Sequence, residues 1–211
     1  MDGQRDIRMG MNGKLRRVPA RDLSRVRTDE QFRNGLLAVG RQPVGDMTTG
    51  LSILPWYVRW PMRFLLRKQI RALKETQGPD QASKGTGEVL DLHKSWHGLH
   101  WLMCQSVWEG PEPYRSAIFG GEEIGEDVGY GPPRLMEPEK VEEVARALSM
   151  LSAAQLMKRY DGKLMEREEV YPGNFTEDGS WKSELRRDYE RLRKFYQETA
   201  AEGGGMLSWI D

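Results

Sequence analysis

The sequence predicts an α+β fold that is mostly helical, with a small sheet including a strand near each end of the chain. Residues 9–18 follow a leader, residues 1–8, that we expect to be frayed, and residues 206–210 form a short apolar run of strand length. Between them, apolar residues recur every three or four positions, as on the buried face of a helix. A chain of 211 residues fits one domain, or one domain with an insertion, and can bury a real core.

The overall charge and the cysteine content argue against several classes of protein. Lysine plus arginine and aspartate plus glutamate number 32 each, so there is no basic excess to indicate nucleic acid or a membrane surface. A single cysteine excludes an internal disulfide and is typical of a reducing cytoplasm. The most apolar stretch, residues 51–66, is interrupted by two prolines and two arginines, and the first ten residues lack the apolar region of a secretory signal. We therefore expect a soluble, cytoplasmic protein with no transmembrane segment.

Residues 90–108 are the most distinctive stretch, because they hold all three histidines, the single cysteine and three of the seven tryptophans. At 100° per residue, one stripe of apolar side chains consists of Leu92, Trp96, Leu99 and Met103. Such a stripe is typical of a helix with one buried face. A second stripe, formed by His93, His97 and His100, predicts that the imidazoles lie at the border of the core.

Those three histidines do not predict a metal site. They span about 10 Å of helix at 1.5 Å per residue, so a single ion cannot easily bind all of them. Cys104 is the nearest further ligand, and the sequence has no spacing typical of a four-ligand zinc site. We expect histidines that form hydrogen bonds at the boundary of the core, with no bound metal and no cofactor. We expect Cys104 to be a buried thiol rather than a nucleophile.

The N-terminal part is predicted to be helical over residues 21–37, with Asp22 or Ser24 as its cap. Residues 38–86 then change in character and are typical of an inserted loop–helix–loop segment. Within them, Trp56–Lys74 combines an aromatic lead-in with a basic amphipathic helix. This helix either binds anionic lipid or an acidic partner, or packs on the domain by its apolar face, and we favour the second interpretation. Its candidate binding residues are Arg63, Arg67 and Arg71.

The charge reverses in residues 109–127, which are rich in acids and run into a glycine-rich segment. That segment lacks the Gly-Lys-Ser/Thr ending of a phosphate-binding loop, and its acids would repel phosphate. It also lacks the alternating ligands of an EF-hand. We favour a structured loop whose glycines adopt positive φ, with a ligand or partner surface as the second interpretation. The candidate binding residues are Glu122, Glu123, Glu126, Asp127 and Tyr130.

The remaining residues predict a series of helices followed by a strand. Glu137-Pro138 places proline in the first turn of a helix, and the segment from Ser152 to Gln155 matches a capping box. A long amphipathic helix is expected to begin at a Ser180 cap and to end at the glycines of residues 203–205. The other predicted elements are a helix over residues 163–169 and a turn over residues 171–174.

Four segments together resemble the YfbM-like family, which consists of small bacterial proteins of unknown function. They are MGMNGKLRRV at residues 9–18, LHKSWHGLHWLM at 92–103, AIFGGEEIGEDVGYGPPR at 117–134 and VYPGNF at 170–175. The resemblance covers about three-quarters of the chain. It implies a single α+β domain over residues 9–211, with strands at both ends, helices between them, and residues 38–86 as an insertion.

Individual positions both match the family pattern and depart from it. The matching positions are Lys94, Trp96, His97 and His100, so Lys94 joins the two histidines as a candidate binding residue. The chain has His93 where the pattern has aspartate, and Cys104-Gln105 where it has Thr-Gly. His93 is therefore not expected to belong to a site that the family shares. The family name implies no reaction.

The function that we expect is that of a non-enzymatic binding or interaction module. A concrete version is an immunity-like protein that neutralises a protein partner through the acidic loop or the inserted basic helix. A homodimer is a further expectation, and nucleic acid is not an expected partner. The alternative is an enzyme or small-ligand binder that uses His97, His100 and an acid from residues 122–127. An enzyme requires these groups to converge in a concave pocket, whereas a binding module needs only an exposed complementary face.

Overall fold

A five-stranded antiparallel sheet joins the two ends of the chain in the computed structural model, which describes residues 10–37, 87–177 and 179–211. The strands are β1 (Gly13–Val18), β2 (Val89–Asp91), β3 (Glu122–Glu123), β4 (Arg134–Met136) and β5 (Gly205–Ile210), in the spatial order β2-β1-β5-β4-β3. The first and last strands pair along their whole length, from Gly13 opposite Ile210 to Val18 opposite Gly205. This confirms the α+β fold class and both terminal strands, although the first begins at Gly13 rather than at residue 9.

Helices make up most of the rest of the described chain. They are α1 (Leu23–Thr28), α2 (Glu30–Leu37), α3 (Ser95–Cys104), α4 (Ser116–Phe119), α5 (Pro138–Met150), α6 (Ala153–Met157), α7 (Gly162–Arg167) and α8 (Ser180–Ala201). Proline occupies the first turn of α5, as predicted, because its missing N–H is not needed there. The predicted capping box at Ser152 and Gln155 is present at the start of α6.

The sheet is covered on both sides, so it has two buried faces. The first face includes Leu15, Met136 and Met206, and it packs against a large core formed by α3, α4, α5 and α8. The second face includes Leu135 and Leu207, which pack with buried side chains of α1 and α2. Alternation along each strand sends successive side chains to opposite faces, which is why each strand contributes to both cores.

Helix α3 forms the centre of the larger core, and every residue from Ser95 to Met103 is buried. It packs against α8, where an alanine side chain at Gly98 would stand 2.9 Å from the Leu185 side chain. The hydroxyl of Ser95 donates to the carboxylate of Asp188, 2.6 Å away. Arg187 and Arg191 also donate to this buried carboxylate, so its charge is compensated inside the domain.

Three sequence predictions about helix ends are corrected by hydrogen bonds. The helix expected over residues 21–37 is broken at Asp29, whose carboxylate accepts from the backbone N–H of Phe32 and so caps α2. Asp22 occupies the cap position of α1 without making a side-chain capping bond. Ser180 is the first residue of α8 rather than its cap, which is Gly179.

The predicted insertion, residues 38–86, lies outside the described residues, and so do the basic helix at Trp56–Lys74 and its candidates Arg63, Arg67 and Arg71. No helix among the described residues combines the length and the apolar character needed to cross a membrane.

Candidate functional site

His97 is held in place by the backbone on both sides of its ring. Its Nδ1 accepts a hydrogen bond from the backbone N–H of Tyr171, and its Nε2 lies 2.9 Å from the carbonyl oxygen of Val107. The acceptor role of Nδ1 places the proton on Nε2, which donates to Val107. Burial lowers the pKa of His97 to about 4, although its bond to Val107 acts in the opposite direction. His97 is therefore a neutral residue that ties two loops to α3.

His100 lies one turn further along α3 and is completely buried. Its ring is 4.4 Å from the ring of Phe119, and neither of its nitrogens has a hydrogen-bond partner among the described residues. Burial lowers its pKa to about 3, and the charges of His97 and Arg115 act in the same direction. The backbone of Glu109 is near enough to oppose this lowering, but it does not reach hydrogen-bond geometry with the ring.

The predicted stripe of three histidines at the border of the core is therefore wrong in two respects. His93 precedes the helix in a turn with φ +46°, and its side chain is 70% exposed beside Asp91. His97 and His100 are enclosed by the core rather than placed at its edge, because α4 and the loops around Val107 and Tyr171 cover that side of α3. No group of three or more His, Cys, Asp or Glu side chains within the described ranges could hold a metal ion.

An aromatic stack connects three of the segments that carry the family resemblance. The ring of His97 lies between the rings of Trp96 and Trp108, and the ring centroids are 4.7 Å and 4.6 Å apart, respectively. The indole N–H of Trp96 donates to the carbonyl oxygen of Met11, whose own N–H donates to the hydroxyl of Tyr171. Lys94 directly precedes α3 and is half-buried. Its side chain lies close to Gly10. The stack thus fastens the start of β1 and the Tyr171 loop to α3.

The acidic loop, residues 122–127 with the glycines on either side, is structured, and its backbone conformation depends on those glycines. Gly121, Gly125, Gly129 and Gly131 all have positive φ. The carboxylate of Asp127 accepts from the backbone N–H groups of Gly129 and Gly131, and so closes a turn. Arg33 is buried beneath Gly125 and donates to the last carbonyls of α1 at Val26 and Arg27. Asp127 therefore has a structural role.

Gly125→Ala should loosen this loop. A methyl group at Gly125 would stand 2.6 Å from Nε of Arg33, and its φ of +70° is unfavourable for alanine. We expect a loss of about 2 kcal/mol in the free energy of unfolding. Gly203→Ala is the matched control, because its φ of +63° is similar but nothing lies within 4 Å. Equal losses in urea unfolding of the two variants would contradict the role given to Arg33.

Two of the four candidate acids, Glu122 and Glu123, are paired with arginines. Arg27 bridges Glu122 and Glu137, and Arg134 binds Glu123 at 2.6 Å. Glu126 is exposed. Arginines therefore offset part of the negative charge of this loop.

A shallow groove lies at one end of the first face of the sheet, with a cavity volume of about 40 Å³, and it is partly open to solvent. Leu15, Ser208 and Ile210 form its floor. One wall consists of Trp96, Ile118 and Phe119, and the other of Tyr130, Gly131 and Pro132. Glu123 and Arg134 stand at its rim. The groove is mainly apolar with a few polar groups at the edge, the combination typical of a recognition site.

The structure brings together only some of the predicted site residues. Glu123 and Tyr130 line the groove, whereas His97 and His100 lie behind the wall formed by Trp96 and Phe119. Both nitrogens of His97 are used by the backbone, so this ring and the acids do not form a catalytic pair.

Cys104, at the end of α3, is half-buried. Burial and the carboxylate of Glu112 raise the pKa of its thiol to about 12. The thiol is therefore protonated at neutral pH, and it is a weak nucleophile.

Sequence reasoning missed Arg134, Ser208 and the wall residues Ile118, Phe119 and Pro132. Arg134 donates to the carbonyl oxygens of Phe119 and Gly121 as well as to Glu123, and it thereby joins α4, the acidic loop and β4. The sequence did contain one signal for Arg134, namely its position directly after Pro132-Pro133 at the start of a strand. Ser208 carries no such signal, since only strand pairing places it in the floor.

The described residues form a small α+β protein with a mainly apolar groove on one face of its sheet. The chain belongs to the family described as Domain of unknown function (DUF1877), whose model matches residues 9–209. This confirms the resemblance to YfbM-like proteins. The crystal structure of a protein of unknown function, YfbM from Escherichia coli, is similar with a TM-score of 0.55 and 16% identity, over 95% of this chain and 99% of that one. At that identity the likeness shows the fold alone. No curated protein is significantly similar.

Proposed function

We propose that this protein is a non-enzymatic binding module whose groove receives an apolar side chain of a protein partner. The observation that supports this proposal is the groove itself, with apolar walls at Trp96, Ile118 and Phe119 and a polar rim at Glu123 and Arg134. Interfaces gain most of their free energy from a few apolar or aromatic anchors that enter such depressions, surrounded by a polar edge.

The chemistry of the described residues favours binding over catalysis. A general base needs a free nitrogen or oxygen within reach of a substrate, and His97 uses both nitrogens on the backbone. The protonated thiol of Cys104 is a poor nucleophile.

The shape of the groove favours a protein anchor over a small molecule. Small-molecule sites typically bury about 70–90% of their ligand, which requires an enclosed pocket. This groove is partly open to solvent. A side chain that remains attached to its own protein suits an open groove, because the rest of the partner covers the opening.

The groove can be filled by a single substitution. Ser208 is half-buried in the floor, so Ser208→Phe should occupy the groove while aromatic side chains remain well suited to a strand. Ser183→Phe on α8 is the matched control, because Ser183 is exposed and does not line the groove. We expect the parent chain and Ser183→Phe to retain the same protein from host extract, and Ser208→Phe to lose it.

Titration with that purified partner then tests the groove directly. Ser208→Phe should weaken binding at least about tenfold, equivalent to about 1.4 kcal/mol. Thermal melting shows whether the variant is folded. Equal affinity of the parent and a folded Ser208→Phe variant would refute the groove as the binding surface. An immunity-like role is one form of this function, and it would appear as loss of the partner's own activity in the complex.

A further inference from the structure

Arg16 is an unusual residue on the second face of the sheet. It lies on β1, opposite Val89 of β2 and Leu207 of β5. Its side chain projects from the second face, and the residue is only 5% exposed. Neither Nε nor Nη1 has a hydrogen-bond partner within residues 10–37, 87–177 and 179–211. By contrast, its neighbour Arg17 on the first face binds Glu88, Glu198 and Glu202.

A second unpartnered donor lies beside it. Trp209 is two residues along β5 from Leu207, the partner of Arg16, so both side chains project from the second face. Trp209 is 4% exposed, and its indole N–H has no acceptor in the described part of the chain. Long side chains at such diagonal positions can reach a common point.

The carboxylates nearest in the sheet are engaged elsewhere. Asp211 binds the ammonium of Lys14 at 2.8 Å, and Asp91 accepts from the backbone N–H of His93. No described carboxylate lies within 4.0 Å of Arg16. Burial without a counter-charge lowers the pKa of Arg16, and an unpaired buried cation is a substantial cost to a fold.

We propose that Arg16 and Trp209 form a binding site for a small oxyanion, a carboxylate or a phosphate group. An oxyanion supplies the negative charge that the guanidinium needs and accepts from both kinds of N–H. Lys14, opposite Trp209 on the same face, lies at the border of the site and is paired with Asp211. Because the donor atoms are buried, their hydrogen bonds to the anion lie in a low dielectric.

The side chains of this site project from the face of the sheet opposite to the groove, although Lys14 and Trp209 also line the groove. The site can be tested by thermal melting of the full chain in sodium chloride, sodium acetate or sodium phosphate at equal ionic strength. At about 100 times the dissociation constant, a bound anion should raise the melting temperature by about 5 °C. A rise in phosphate alone assigns the site to phosphate, whereas a rise in acetate assigns it to carboxylates.

Variants separate specific binding from general stabilisation by salts. Arg16→Met removes the charge but keeps much of the volume, so it should abolish the rise and melt above the parent in chloride. Arg21→Met, at a side chain 81% exposed, is the matched control and should retain the rise. Trp209→Phe should reduce it, because the indole N–H donor is lost together with part of the ring system. No anion-dependent rise in the parent, or the same rise in Arg16→Met, would overturn the proposal.

Discussion

Trp96→Ala should lower the free energy of unfolding by about 3–5 kcal/mol, the range found for large aromatic truncations in cores. Trp96 is 1% exposed and stacks between the rings of His97 and Tyr171. Its truncation removes those contacts, leaves a cavity beneath Gly13 and strands the carbonyl oxygen of Met11. Urea unfolding should show a lower midpoint with an unchanged m-value.

Trp181→Ala provides a control for the loss of a tryptophan as such. Trp181 lies near the start of α8 and is half-buried. Its ring centroid is 5.2 Å from that of Phe175. Its truncation should therefore cost clearly less than that of Trp96. If the two variants unfold at the same urea concentration, the central role assigned to the aromatic stack around α3 is wrong.

The protein should lose about 5 kcal/mol of stability between pH 6.5 and pH 4.5 through its two buried histidines. In the unfolded chain both imidazoles titrate near a pKa of about 6.5, whereas burial lowers the pKa to about 4 for His97 and about 3 for His100. As the pH falls through this window, the unfolded state binds protons that the folded state excludes. Each histidine then lowers the free energy of unfolding by about 1.4 kcal/mol per pH unit.

Histidine variants separate this effect from the titration of carboxylates. His100→Leu should remove about half of the slope of stability against pH, whatever its effect on stability at pH 7. His93→Gln is the matched control for the loss of an imidazole, because this third histidine has an exposed side chain. Urea unfolding at half-unit intervals of pH provides the measurement. An unchanged slope in His100→Leu would contradict the lowered pKa.

The elements with strong local signals were predicted well. Pro138 at the start of α5 and the capping box at Ser152 involve residues within one turn of each other, so their geometry is encoded locally. The long apolar stripe of α8 likewise predicted its buried face, including Leu185, Tyr189 and Leu192.

Burial of the histidines was underestimated for a physical reason. Periodicity within α3 distinguishes one side of a helix from another, but this helix is covered on all sides. The cover comes from Phe119, Trp108 and Tyr171, which reach it from other parts of the chain. A helical wheel contains no information about such neighbours.

The sequence by itself determined the fold class, the terminal strands, most helices and the family, because each depends on local spacing or on motifs in order. Tertiary structure alone decided that His97 is a structural residue, that Glu123 and Tyr130 line a groove with Ser208, and that Arg16 lies beside Trp209 without a counter-charge. These arrangements join residues up to about two hundred positions apart through the pairing of β1 with β5. Strand register sets which side chains share a face, and register is a property of two strands together rather than of either sequence alone.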